Sequence, residues 1–213
     1  MAHSTSDQPI LALEDLSSAT SLTSLLALLF EPSPPLQTLL VPSVLLRLTS
    51  RTEPPESYNK LVDICVEIAE DLTWEQKAEF LSGHPMIGEV TGMSAMSNKE
   101  QNAVTATPKV VLDRLSHLNE LYCIIYPGLR YITFVNGRSR TAIVPEFEGV
   151  LGLPISPQPM PEGFPTSEPD VDSDGVKRMV KDRDSVQWRR ECERGLADVW
   201  RIGRARLAGL GLE

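Results

Sequence analysis

Two polar residues near the middle of the chain stand where a proton could be moved. His84 is followed by Pro85, and Glu100 lies behind Ser97 with Gln101 next to it. An imidazole titrates near neutral pH, so it can take or give a proton, and a nearby carboxylate can orient the ring and support its charged form. The residue before a proline is pushed out of the helical region, which puts His84 on a stiff corner just after Gly83, a natural helix-ending residue at C′. Ser97-Asn98-Lys99-Glu100 has the form of a capping box and places Glu100 in the first turn of a helix, where free N–H groups hold its carboxylate ionised. Each residue also has a plainer reading, His84 as a corner residue and Glu100 as a cap. His117, among charged neighbours on a helix flank, shows the plainer case for histidine.

These residues need helices to position them, and the chain supplies little else. Leucines at helical spacing run from Ser21 to Phe30 and stop at Glu31-Pro32-Ser33-Pro34-Pro35, where prolines prevent continuation. A second helix is expected from Leu36 to Thr49, with Pro42 near its start or at a break. Tyr58 to Leu72 carries Leu61, Ile64, Cys65, Ile68 and Leu72 on one stripe. Thr73 and Gln76 frame a capping box for the helix that leads to His84. Thr107 and Pro108 predict a restart, with Val111, Leu115, Leu118 and Tyr122 buried. Residues 131–135 read as a short extended segment turning at Asn136-Gly137, and Ala142 to Leu151 as a helix. Pro154 to Asp184 is rich in proline and acids, without apolar period, and reads as a flexible insertion. Ser185 to Leu210 is a final helix with Leu196, Val199, Trp200, Gly203, Leu207 and Leu210 inward. The expectation is all-α: a loose N-terminus over 1–14, then one helical domain over 15–213 interrupted at about 154–184.

At 213 residues and 41% apolar content the chain is long enough for one core. A net charge of −9 argues against a nucleic-acid partner, which would call for a basic face. It leaves room for a small anionic substrate, since a local arginine can dominate its own pocket. Cys65, Cys123 and Cys192 are odd in number and scattered, which predicts reduced thiols and no metal site. The apolar run Leu22–Phe30 is too short to span a bilayer, so no membrane role is expected. The chain reads as intracellular, cytoplasmic or peroxisomal, although Gly211-Leu212-Glu213 is not a Ser-Lys-Leu signal.

Several blocks resemble one family. Phe80-Leu81-Ser82-Gly83-His84-Pro85-Met86-Ile87-Gly88, followed by Ser97-x-x-Glu100-Gln101, is similar to the His-Pro turn and Ser-x-x-Glu-Gln of the 2-oxo-4-hydroxy-4-carboxy-5-ureidoimidazoline (OHCU) decarboxylases, with a likeness to their fungal-type members. Leu29-Phe30-Glu31-Pro32-Ser33-Pro34, Leu118-Asn119-Glu120-Leu121-Tyr122, Gly128-Leu129-Arg130-Tyr131-Ile132 with Gly137-Arg138-Ser139, and Val199 to Leu207 resemble further family blocks in the same order. The likeness reaches from about residue 25 to 210. Two departures stand out: the turn after His84 reads Pro85-Met86-Ile87, and Arg130 stands where the family pattern has proline.

The resemblance implies an all-α bundle, commonly a homodimer, that decarboxylates OHCU to (S)-allantoin in urate breakdown without a cofactor. Loss of carbon dioxide leaves a carbanion delocalised over the substrate's own ring, and one face must then receive a proton. His84 and Glu100 are the implied catalytic pair. Pro85, Ser97, Gln101, the backbone around Tyr131, Ile132 and Thr133, and Arg206 are the implied substrate contacts. Arg138 and Arg140 read equally as solvated turn residues, Arg130 as pocket or surface, and Trp74, Trp188 and Trp200 as core anchors. The alternative to a lyase is a non-catalytic helical interaction domain that keeps the fold.

Overall fold

Helix boundaries follow local chemistry closely enough to fix what surrounds His84. The computed structural model describes residues 12–89 and 107–212. After a short 3-10 turn at Leu13–Ser17 come α1 (Ala19–Phe30), a π turn at Leu36–Leu40, α2 (Val41–Thr49), α3 (Tyr58–Glu70), α4 (Trp74–Ser82), α5 (Lys109–Ile125), α6 (Arg140–Leu151), α7 (Asp174–Met179) and α8 (Val186–Leu210). Among the described residues there is no strand, and 131–135 carries no regular secondary structure. The chain is all-α, as its periodicity predicts.

Serine and threonine caps start most of these helices. Ser57, Thr73, Ser139, Ser173 and Ser185 each accept a backbone N–H from the first turn, and Thr73 with Gln76 closes both bonds of the capping box. Pro42 lies in the first turn of α2, directly after the π turn. Two details differ from expectation. The N-cap of α5 falls on Pro108 rather than Thr107. Gly83 has φ −70°, an ordinary helical value, so backbone handedness does not explain glycine there. Space does: a Cβ on Gly83 would stand 2.7 Å from the Cβ of Ser33.

The longest helix, α8, packs against α1, α3 and α4, while α5 packs against α6 and α7. Leu22, Leu26 and Leu29 of α1, Leu61 and Cys65 of α3, and Val199 and Leu207 of α8 are fully buried. Leu210, expected on the inward stripe, is 37% exposed at the end of α8. Trp188 is buried, its Nε1–H donating to the Pro127 carbonyl at 3.0 Å, and Trp200 is buried as well. Trp74 is half-buried, with Lys77 and Arg189 over its ring. No helix among the described residues is long and apolar enough to cross a membrane.

The insertion departs most from the sequence reading. Composition predicts a flexible excursion over 154–184, yet the segment is tied down at several points. Arg114 of α5 donates to the carbonyls of Thr166 (3.1 Å) and Glu168, and His117 Nε2 lies 2.9 Å from the carbonyl of Pro169. Glu148 of α6, fully buried, pairs with Arg114 at 2.8 Å and accepts from the Ser156 N–H at 2.7 Å and from its hydroxyl. Val176 and Met160 are buried. The anchoring runs largely through main-chain carbonyls, which every residue type supplies, so low apolar content does not reveal it.

Candidate active site

His84 closes α4 and sits inside the molecule. Its exposure is 4%. The ring meets Phe80 edge-on with centroids 5.4 Å apart; Phe80 stacks on Trp200 at 5.7 Å, and Phe30 meets Trp200 edge-on at 5.2 Å. Gly203 of α8 makes this cluster possible, because a Cβ there would collide with the Phe30 ring. His84 Nδ1 lies 3.3 Å from the Phe80 carbonyl oxygen. A carbonyl can only accept, so Nδ1 carries the hydrogen and Nε2 keeps its lone pair. Nε2 is buried and has no hydrogen-bond partner among the described residues. An unsatisfied buried nitrogen is costly, and in a native fold it needs a reason.

Electrostatics keep this imidazole neutral. Burial is the dominant influence and holds its pKa down to about 4; Glu31 draws it upward and Arg206 downward. Those two charges form a buried pair, Arg206 Nη2 to Glu31 Oε1 at 2.7 Å, both about 95% or more enclosed. Arg206 Nη1 also donates to the carbonyls of Leu28 and Leu29, each at 3.2 Å, which supplies donors to the carbonyls at the end of α1. Glu31 has φ 68°, a value rare for a residue with a side chain, and the ion pair helps to hold it there. Sequence reasoning assigned Glu31 no role; the signal was its place in the Leu-Phe-Glu block, beside the end of α1.

The turn after His84 is fixed from several sides. Gly88 takes φ +88°, with Leu115 beneath it. Met86 N–H donates to Glu89 Oε2 at 2.9 Å. Arg130 Nη1 donates to the His84 carbonyl, Asn119 Nδ2 to that of Ile87 at 2.9 Å, and Arg140 Nη2 to that of Glu89 at 3.2 Å. Arg140 is therefore buried rather than a solvated turn residue, and Arg130 touches the backbone of the candidate catalytic residue.

The remaining predicted contacts are distributed unevenly. Pro85 is half-buried beside His84. Tyr131 stacks on Phe147 at 3.7 Å and donates to Glu146 at 3.0 Å; Thr133 donates to the same carboxylate at 2.8 Å. Burial pushes the Glu146 pKa upward, but hydrogen bonds from Arg138, Thr133 and Tyr131 outweigh it and leave the carboxyl below its usual range. The Ile132 carbonyl accepts from Arg194 at 2.8 Å. The structure thus joins His84 to the Glu31–Arg206 pair and, through Arg130, to the start of the 131–133 segment. Ser97, Glu100 and Gln101 lie outside the described residues.

A base of this kind suits chemistry on a small carbon acid. Its lone pair is unengaged among the described residues, its buried surroundings strengthen every interaction with an ionic substrate, and its tautomer is set by a backbone carbonyl. A family model described as OHCU decarboxylase matches residues 16–153. No curated protein and no solved structure matches the chain. The matched stretch runs from before α1 to just after α6, so it includes His84 and the 131–133 segment and stops short of the insertion and α8. Because it covers well over half of the 213 residues, the chain belongs to the OHCU decarboxylase family.

Proposed function

We propose that this chain is a cofactor-free carboxy-lyase that converts OHCU to (S)-allantoin, with His84 moving the proton. The observation that carries this reading is the buried Nε2 of a neutral imidazole, unpaired among the described residues and held in one tautomer at the family's His-Pro turn. A histidine with its pKa near 4 arrives without a proton to give. It therefore acts first as base.

The bookkeeping of the reaction is compatible with that role. The C–C bond to the carboxylate breaks, carbon dioxide leaves, and the electron pair enters the substrate ring. Nε2 takes the proton of the 4-hydroxyl as that oxygen becomes a carbonyl, then returns it to the neighbouring ring carbon from one face. One further proton, from solvent, neutralises the charge the carboxylate leaves behind. Glu100 is assigned the support of the transient imidazolium, a role that the capping-box position read from the sequence suits, since helix N-terminal N–H groups keep a carboxylate ionised. Arg206 bears on the ring electrostatically, while its guanidinium is engaged by Glu31 and by the Leu28 and Leu29 carbonyls.

The test is an assay on freshly generated OHCU. Optically active (S)-allantoin should form faster than the racemic background, and His84→Asn should abolish the excess. Racemic product at the background rate from folded protein would refute the reading.

A further inference from the structure

We infer that Arg130 is a positioning residue for His84, setting the angle at which the imidazole is presented to the substrate. The inference deepens the decarboxylase reading and rests on it for the word substrate; the geometry itself does not.

The peptide unit between His84 and Pro85 can be held at one place only. Proline has no N–H, so the His84 carbonyl is the only polar group by which that unit can be held. Arg130 Nη1 donates to it, and this is the only hydrogen bond of Arg130 among the described residues. Proline fixes its own φ, so holding the carbonyl defines the plane of the unit and the direction in which the His84 Cα–Cβ bond leaves it. The second fixed point is Nδ1 on the Phe80 carbonyl at 3.3 Å. With the His84 N–H on the Leu81 carbonyl at 3.1 Å, these contacts hold both backbone and ring and set where Nε2 points.

Carbonyls farther along the turn are held by other elements, Ile87 by Asn119 of α5 and Glu89 by Arg140 of α6. Those bonds brace the turn; of these three side chains, Arg130 is the one that acts on the histidine itself. A proline at this position could not make this bond.

Among the described residues, the groups that face the ring are Phe80 and the Glu31–Arg206 pair, and Arg130→Ala leaves them in place. Loosening the ring lets water reach it and relieves the burial that dominates its shift, so the His84 pKa rises from about 4 toward the ordinary value.

The experiment compares wild type, Arg130→Ala and Arg130→Lys. Expected for Arg130→Ala are a melting temperature near that of wild type, kcat lower by roughly 10–100-fold with KM little changed, and a His84 ring titration in NMR spectra displaced upward. Guanidinium ion at millimolar concentration should restore part of kcat in Arg130→Ala and none in wild type. Lysine, which keeps the charge but not the planar fork, should fall between. An unchanged kcat, an unmoved His84 titration, or loss of fold in Arg130→Ala would overturn the inference, the last by making Arg130 a stability residue. If wild type itself lacks decarboxylase activity, the function reading fails while the NMR titration still decides whether Arg130 holds the ring.

Discussion

His84 combines features that rarely coexist without chemistry: near-complete burial, a fixed tautomer and a nitrogen without a partner among the described residues. His84→Asn keeps a donor for the Phe80 carbonyl and removes the base, so turnover should fall by about 10²–10⁴-fold with the fold intact; circular dichroism and the coupled assay check this together. The same residue predicts a pH response. Its folded pKa, about 4, lies below the ordinary 6.5, so the unfolded chain binds more protons between those values. His84's contribution to stability is therefore complete above about pH 6.5 and is lost as pH falls toward 4, a change on the order of 3 kcal/mol. Denaturant unfolding across that range should show this slope in wild type and not in His84→Asn. His84 was legible in the sequence because a His-Pro corner after a helix is a local pattern. Its depressed pKa was not, because burial and the Glu31–Arg206 pair come from α1 and α8, far away in the chain.

At the scale of elements, the end of α4 is where local and tertiary rules divide. Thr73 and Gln76 announce the start of α4 by sequence alone, and Thr73→Ala should cost about 1 kcal/mol with little effect on turnover. Gly83 also signals the end of α4, but for a different reason from the expected one. Its φ is ordinary, so the constraint is the nearness of Ser33, which no spacing rule contains. Gly83→Ala should therefore destabilise by about 1–3 kcal/mol and lower turnover, because the strain falls one residue before His84. Adding Ser33→Gly to it should recover much of both. Equal losses in the single and double variants, measured by thermal unfolding and kcat, would show that the contact with Ser33 is not the cause.

At the scale of the whole molecule, the chain is a helical body with an insertion latched onto it through a buried ion pair. Arg114 and Glu148 are 4% and 0% exposed and bond each other at 2.8 Å. Removing one partner leaves a buried charge alone, so Arg114→Met should cost about 3–5 kcal/mol, and pairing it with Glu148→Leu should cost less. Replacing residues 157–174 by a short polar linker would remove the Thr166 and Glu168 carbonyls from Arg114 and the Pro169 carbonyl from His117, and would expose the site of Met160. Low apolar content would suggest a silent deletion; the latch predicts a clear drop in melting temperature instead. Catalysis should nevertheless survive well below that temperature. His84 is held by Phe80, the Glu31–Arg206 pair and Arg130, and none of these contacts comes from the insertion. The family match likewise ends at residue 153. Melting curves and initial rates on the linker variant separate the two effects. A large fall in kcat at a temperature where the variant is fully folded would mean that the insertion takes part in the site.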